Sequence, residues 1–144
     1  MRTFTIIIPS PADFNFWRTV YSHGWCALPP FLHNPDRRQL ACVLRLKDRT
    51  IVQCLLTGKA RSVIVEGRSD TKLSAAHRSE LTGLLRTCLR LDEDLSVFHR
   101  ASRKYPGFRW IGASKSGRML RAPTVFEDVV KMICTTNCTW ALTT

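Results

Sequence analysis

Along the first nine residues, apolar side chains alternate with their neighbours: Phe4, Ile6 and Ile8 on one side, Thr3, Thr5 and Ile7 on the other. A period of two describes a half-buried strand, and Pro9 and Pro11 stop it because proline donates no ladder hydrogen bond. Residues 13–22 read as a short helix ended by His23-Gly24, and residues 25–36 as an irregular, proline-rich segment. Three further strands are predicted at 40–46, 50–57 and 62–66, turned by Lys47-Asp48-Arg49 and punctuated by Gly58 and Gly67. Strands joined this tightly pair antiparallel.

The period then lengthens to that of a helix. Between residues 73 and 91, Leu73, Leu81, Leu84, Leu85, Cys88 and Leu89 share one side, while Arg78, Glu80, Arg86 and Arg90 take the other. This predicts an amphipathic helix lying over one face of the sheet. A second helix is expected to start at residues 92–94, turn Leu95 and Phe98 inward and end at Pro106-Gly107. There Asp92 and Asp94 serve as capping and dipole-complementing residues. Residues 108–123 read as a basic loop in which Phe108 and Trp110 cover a core edge. Thr124 opens a last helix, because Thr-x-x-Glu with Glu127 is a capping box. Helical steps from Phe126 reach Val130, Ile133, Asn137 and Trp140, an apolar stripe interrupted by one amide.

The expected architecture is α+β: an antiparallel sheet with packed helices over residues 1–90, then the first helices of an all-helical domain over 91–144. One other helix after residue 91 cannot cover the apolar face of the last one. The chain is therefore expected to be truncated, with the covering helices downstream.

Composition narrows the partner. With 144 residues and 44% hydrophobic side chains, the chain can build a core. Its 22 Lys and Arg against 11 Asp and Glu leave a net charge of +11, spread along the sequence. That balance favours a polyanionic partner, with a solvated basic surface as the plainer alternative. The six cysteines lie in apolar runs and are expected to be free, mostly buried thiols of a reducing compartment. No C-x-x-C pair occurs, and Cys134 with Cys138 lacks His or acidic neighbours, so no metal is expected. His23, His33, His77 and His99 have no carboxylate or nucleophile at a recognisable spacing. No signal-peptide core or membrane-length apolar run is present, which predicts a soluble protein without a membrane partner. Lys115-Ser116-Gly117-Arg118, with Arg121 beyond, places cations and small residues before a helix N-terminus, where phosphates can be held by amides and charge. A solvated loop is the alternative.

The run GRMLRAPTVFEDVVKMICTTNCTW, residues 117–140, resembles the start of the helical domain of the helix-hairpin-helix (HhH-GPD) DNA glycosylases. That superfamily includes the 8-oxoguanine and 3-methyladenine enzymes. In it a proline-led helix ends in a pattern like I-C-[ST]-[ST]-N. PADFNFWRTVYSHGW, residues 11–25, looks like the family's N-terminal segment, a hydrophobic helix leading to a glycine and an aromatic. The resemblance implies a TBP-like antiparallel domain followed by glycosylase helices, and a double-stranded DNA partner containing a damaged base. A monomer when full-length is expected, in the bacterial cytoplasm or a nucleus, with no cofactor held by these 144 residues and an iron–sulfur cluster downstream left open. The resemblance implies no catalytic residue within this chain: the helical hairpin and the catalytic aspartate fall beyond residue 144, and none of Lys104, Lys115 or Lys131 stands in the place of the family's lysine.

Such an enzyme rotates a nucleotide out of the stack at a cost of a few kcal/mol. A thin amide at a helix end then fills the gap and hydrogen-bonds the orphaned base. The resemblance puts Asn137 at that position, with Thr136 and Cys138 beside it, and puts Gly24 and Trp25 at the base pocket, Trp25 standing where 8-oxoguanine members usually carry glutamine. The plainer roles are a helix C-cap for Asn137 and an ordinary helix stop for Gly24. The rival function is a non-enzymatic nucleic-acid-binding module that uses its sheet face and basic loop.

Overall fold

The computed structural model describes residues 1–136 and 138–143. Five alternating segments form one sheet: β1 (Arg2–Pro9), β2 (Phe31–Asn34), β3 (Gln39–Arg45), β4 (Ile51–Gly58) and β5 (Ser62–Ser69). Their order is β1-β5-β4-β3-β2, every neighbouring pair antiparallel. Among the described residues six α-helices accompany it: α1 (Phe16–Val20), α2 (Ala75–Leu89), α3 (Ser96–Arg103), α4 (Arg109–Ala113), α5 (Val125–Thr135) and α6 (Trp140–Thr143). The molecule is therefore α+β, as its periodicities predict.

Register decides which side chains enter the core. One row crosses all five strands, pairing Phe4 with Gly67, Gly67 with Cys54, Cys54 with Cys42 and Cys42 with Phe31. Gly67 is required there, since a Cβ would lie 2.2 Å from Cζ of Phe4. On the same face Ile8, Leu40, Val52, Leu56, Val63 and Val65 are shielded from solvent, together with Leu81, Leu85 and Leu89 of α2. Each such side chain contributes about 1.5–3 kcal/mol by leaving water, so the contact between α2 and the sheet is a substantial source of stability. The other sheet face exposes Thr3, Thr5, Val43, Gln53, Glu66 and Arg68. A cap orders the start of α2: Ser74 Oγ accepts from the His77 amide at 3.1 Å, and the His77 ring accepts from the Ser74 amide at 3.4 Å.

Several expectations are corrected. Residues 31–34, expected to be irregular, form β2, because buried Phe31 anchors a four-residue strand against β3. Residues 109–113, expected to be loop, are helical. α3 is rotated from its expected phase: Phe98 is 45% exposed and His99 is buried. Phe98 lies over Gly117, where a Cβ would come within 2.8 Å of its ring, while His99 Nε2 meets the Ser116 carbonyl oxygen at 2.7 Å. Phe108 and Trp110 are exposed rather than covering a core edge. All six cysteines are free; Cys26, Cys42, Cys54 and Cys88 are buried, but Cys134 and Cys138 are exposed. Leu91 and Leu120 belong to the same core as the sheet, so packing runs through the boundary drawn at residue 90. Among the described residues no helix is long and apolar enough to cross a membrane.

Candidate nucleic-acid interface

The turn at Gly24 and the helix α5 are distant in sequence and adjacent in space. Gly24 has φ 91° and leads into a tight 3-10 turn at Trp25–Ala27. Glycine suits this position twice, by its left-handed backbone and because a Cβ would stand 2.8 Å from Cζ2 of Trp140. Trp25 follows, only 6% exposed. Its Nε1–H donates to Asp128 Oδ1 of α5 at 2.8 Å, and the His23 ring stacks on it with centroids 4.5 Å apart. Ser22 completes the turn: its hydroxyl meets His23 Nδ1 at 2.8 Å and accepts from the Leu120 amide at 3.0 Å.

α5 presents its polar side to this turn. Thr124 and Glu127 form the expected capping box, with the Glu127 amide donating to Thr124 Oγ1 at 3.2 Å and the Thr124 amide donating to Glu127 Oε2 at 3.0 Å. Asp128 accepts from the Ala122 amide at 2.9 Å as well as from Trp25. Lys131 is buried, its Nζ 5.9 Å from the Trp25 ring centre and 5.2 Å from that of Phe31, with no hydrogen-bond partner among the described residues. Burial lowers its pKa, opposed by the nearby Glu127 and Asp128 carboxylates. Burial likewise lowers the His23 pKa; Asp128 opposes this and Lys131 adds to it. A buried ammonium over two aromatic faces is held by ring quadrupoles rather than by hydrogen bonds.

The predicted site residues fall into three groups. Gly24, Trp25 and Arg121 meet at the inner side of α5, Arg121 Nε lying 3.8 Å from Asp128 Oδ2. Trp25 is sealed by its neighbours and offers no open wall to a base, which corrects the base-pocket expectation for that side chain. Thr136 and Cys138 are exposed beyond α5, where Thr136 Oγ1 donates to the Ile133 carbonyl at 2.6 Å and Cys138 Sγ lies 3.4 Å from the Thr136 oxygen. Asn137 itself lies outside the described residues.

The third group is the basic loop. Lys115 is exposed, in a left-handed conformation with φ 55°. Arg118 corrects the phosphate expectation: it is 2% exposed and turned onto acceptors of the protein itself. Its guanidinium donates to the carbonyl oxygens of Arg90, Asp13 and Glu93 at 3.2, 3.1 and 2.7 Å and to both Asp13 carboxylate oxygens at 3.2 Å. With its side chain shut off from solvent, the guanidinium presents no surface to a phosphate. The start of α5 is closed to phosphate too, since Glu127 and Asp128 occupy its first turn. Asp94 accepts from the Ser96 amide at 2.8 Å and starts α3, while Asp92 pairs with Arg86.

Sequence patterns missed two features here. Lys131 sits inside an apolar stretch and shows its burial only once α5 is placed against Trp25 and Phe31. Arg37, Arg38 and Lys59 join Lys115 around one cleft, which depends on the strand order. Compared with known proteins, the chain matches no protein-family model and no curated protein.

Proposed function

We propose that this chain is the N-terminal portion of a base-excision DNA glycosylase that flips a damaged base from duplex DNA and cleaves its N-glycosidic bond. Asn137 serves as the gap-filling amide, and residues outside the 144 supply the catalytic aspartate. One observation carries this proposal. The two segments that resemble the glycosylases, residues 11–25 and 117–140, come together through the Trp25 to Asp128 hydrogen bond of 2.8 Å and the contact of Gly24 with Trp140. The apolar stripe of α5 faces solvent, which suits a helix that further helices of a glycosylase domain would cover. The aspartate would stabilise the cationic sugar and orient the attacking nucleophile, with basic side chains on backbone phosphates making binding sensitive to salt.

The test is an excision assay of the protein extended through its helical domain, against duplexes carrying oxidised, alkylated or deaminated bases. Release of a free base from at least one class is expected. Tight duplex binding with no release from any class would leave the non-enzymatic nucleic-acid module as the function.

A further inference from the structure

Register places two turns at the same end of the sheet. Gln39, which starts β3, lies opposite Thr57, near the end of β4, so the β2–β3 turn stands beside the β4–β5 turn. Arg37 and Arg38 come from the first turn, Lys59 from the second, and Lys115 from the segment after α4. All four line one cleft of about 530 Å³, with Asn15 and Trp17 of the α1 region on its wall. No carboxylate is among its lining residues, and none of the four cations forms an ion pair among the described residues. Asp13, the nearest acidic residue in sequence to Asn15, is taken by Arg118.

Local hydrogen bonds order the turns around the cleft. Asn34 Oδ1 accepts from the Arg37 amide at 3.0 Å, the Arg38 amide donates to the Pro35 carbonyl at 3.2 Å, and Asn15 Nδ2 donates to the Ser114 carbonyl at 3.2 Å. Arg38 and Lys115 both hold left-handed backbone, with φ 51° and 55°. One carboxylate, Asp36, precedes Arg37 in the same turn, exposed and in no ion pair among the described residues, so four cations stand against one acidic group and an anion joining them relieves their repulsion.

We propose that this cleft binds consecutive phosphodiesters of a nucleic-acid strand. Arginine forks and lysine ammonium groups match phosphate oxygens, and contacts of this kind position a duplex without reading its sequence. The cleft shares no lining residue with the Gly24–α5 arrangement, so it is a second contact rather than the lesion site. It rests on the glycosylase proposal only for the source of the phosphates; a free polyphosphate offers the same chemistry.

Fluorescence anisotropy of the 144-residue chain with an undamaged duplex, over a range of NaCl concentrations, tests it. The variants are Arg37→Gln with Lys59→Gln, and Arg38→Asn with Lys115→Asn, the second pair using a residue that tolerates left-handed backbone. Arg45→Gln with Lys47→Gln, exposed and outside the cleft, matches the charge change, and circular dichroism checks folding of every variant. Each cleft pair is expected to weaken binding about tenfold and to flatten the slope of log K against log salt by roughly 1.8, at about 0.9 per lost phosphate contact. The matched pair should leave the slope unchanged. Equal effects from cleft and matched pairs, or no effect from the cleft pairs, would overturn the proposal. So would one-to-one binding of inorganic tripolyphosphate that the cleft pairs abolish while duplex affinity stays intact. Loss of the excision activity proposed above, with the slope change preserved, would remove the glycosylase and leave the cleft standing.

Discussion

α2 and α5 carry the same kind of helical pattern and meet opposite surroundings. In α2 the apolar side, Leu81, Leu85, Cys88 and Leu89, is buried against the sheet. In α5 the apolar side is exposed, Phe126 at 75% and Ile133 at 65%, while Lys131 and Asp128 face the protein. Periodicity therefore reports that a face needs cover, not what provides it. The polar inner side of α5 is no defect, because it supplies the acceptor for Trp25 and the cation over Trp25 and Phe31. What holds α5 is a set of directional contacts, and what holds α2 is area removed from water.

That contrast predicts a graded set of effects. The largest should come from Arg118, which ties Asp13 to the segment leading into α5. Arg118→Met leaves three carbonyl oxygens and the Asp13 carboxylate without their donor, and is expected to cost about 3 kcal/mol in urea unfolding. Breaking a buried ion pair costs about 3–5 kcal/mol, and the low end applies because Asp13 keeps some access to water. Lys115→Asn, three residues earlier, should leave unfolding unchanged. If the two substitutions cost the same, Arg118 does not tie Asp13 to the segment leading into α5. The smallest effect should come from α5's outer side: Phe126→Ser with Ile133→Ser is expected to shift unfolding by no more than about 0.5 kcal/mol. The same pair should sharply reduce binding of a hydrophobic dye. Destabilisation comparable to that of a core substitution would show that the face is covered in solution.

Much of the fold was legible because its periods are unambiguous. β1, β3, β4, β5 and α2 lie within a few residues of where alternation and helical spacing put them. β2 escaped because four residues behind Pro29-Pro30 are too few to display a period. The phase of α3 escaped because Phe98 covers Gly117, a contact made across a loop. The site was less legible for the same physical reason. Arg118 and Lys115 look equivalent in sequence, and only the fold decides that one is enclosed by carbonyl oxygens while the other stays in solvent. The cation-lined cleft needed the strand order to bring its turns together. The Thr124–Glu127 capping box, a purely local pattern, formed as expected.

Asn137 is proposed above to occupy the space left by an extruded nucleotide. The most direct measurement compares Asn137→Ala with the unaltered protein, extended through its helical domain, for kcat/KM on a lesion-bearing duplex and for Tm. A fall of at least about tenfold in kcat/KM, equal to about 1.4 kcal/mol of lost transition-state stabilisation, is predicted with Tm unchanged. Unchanged kcat/KM, or a loss of activity matched by a loss of Tm, would contradict it and return Asn137 to the role of a helix cap.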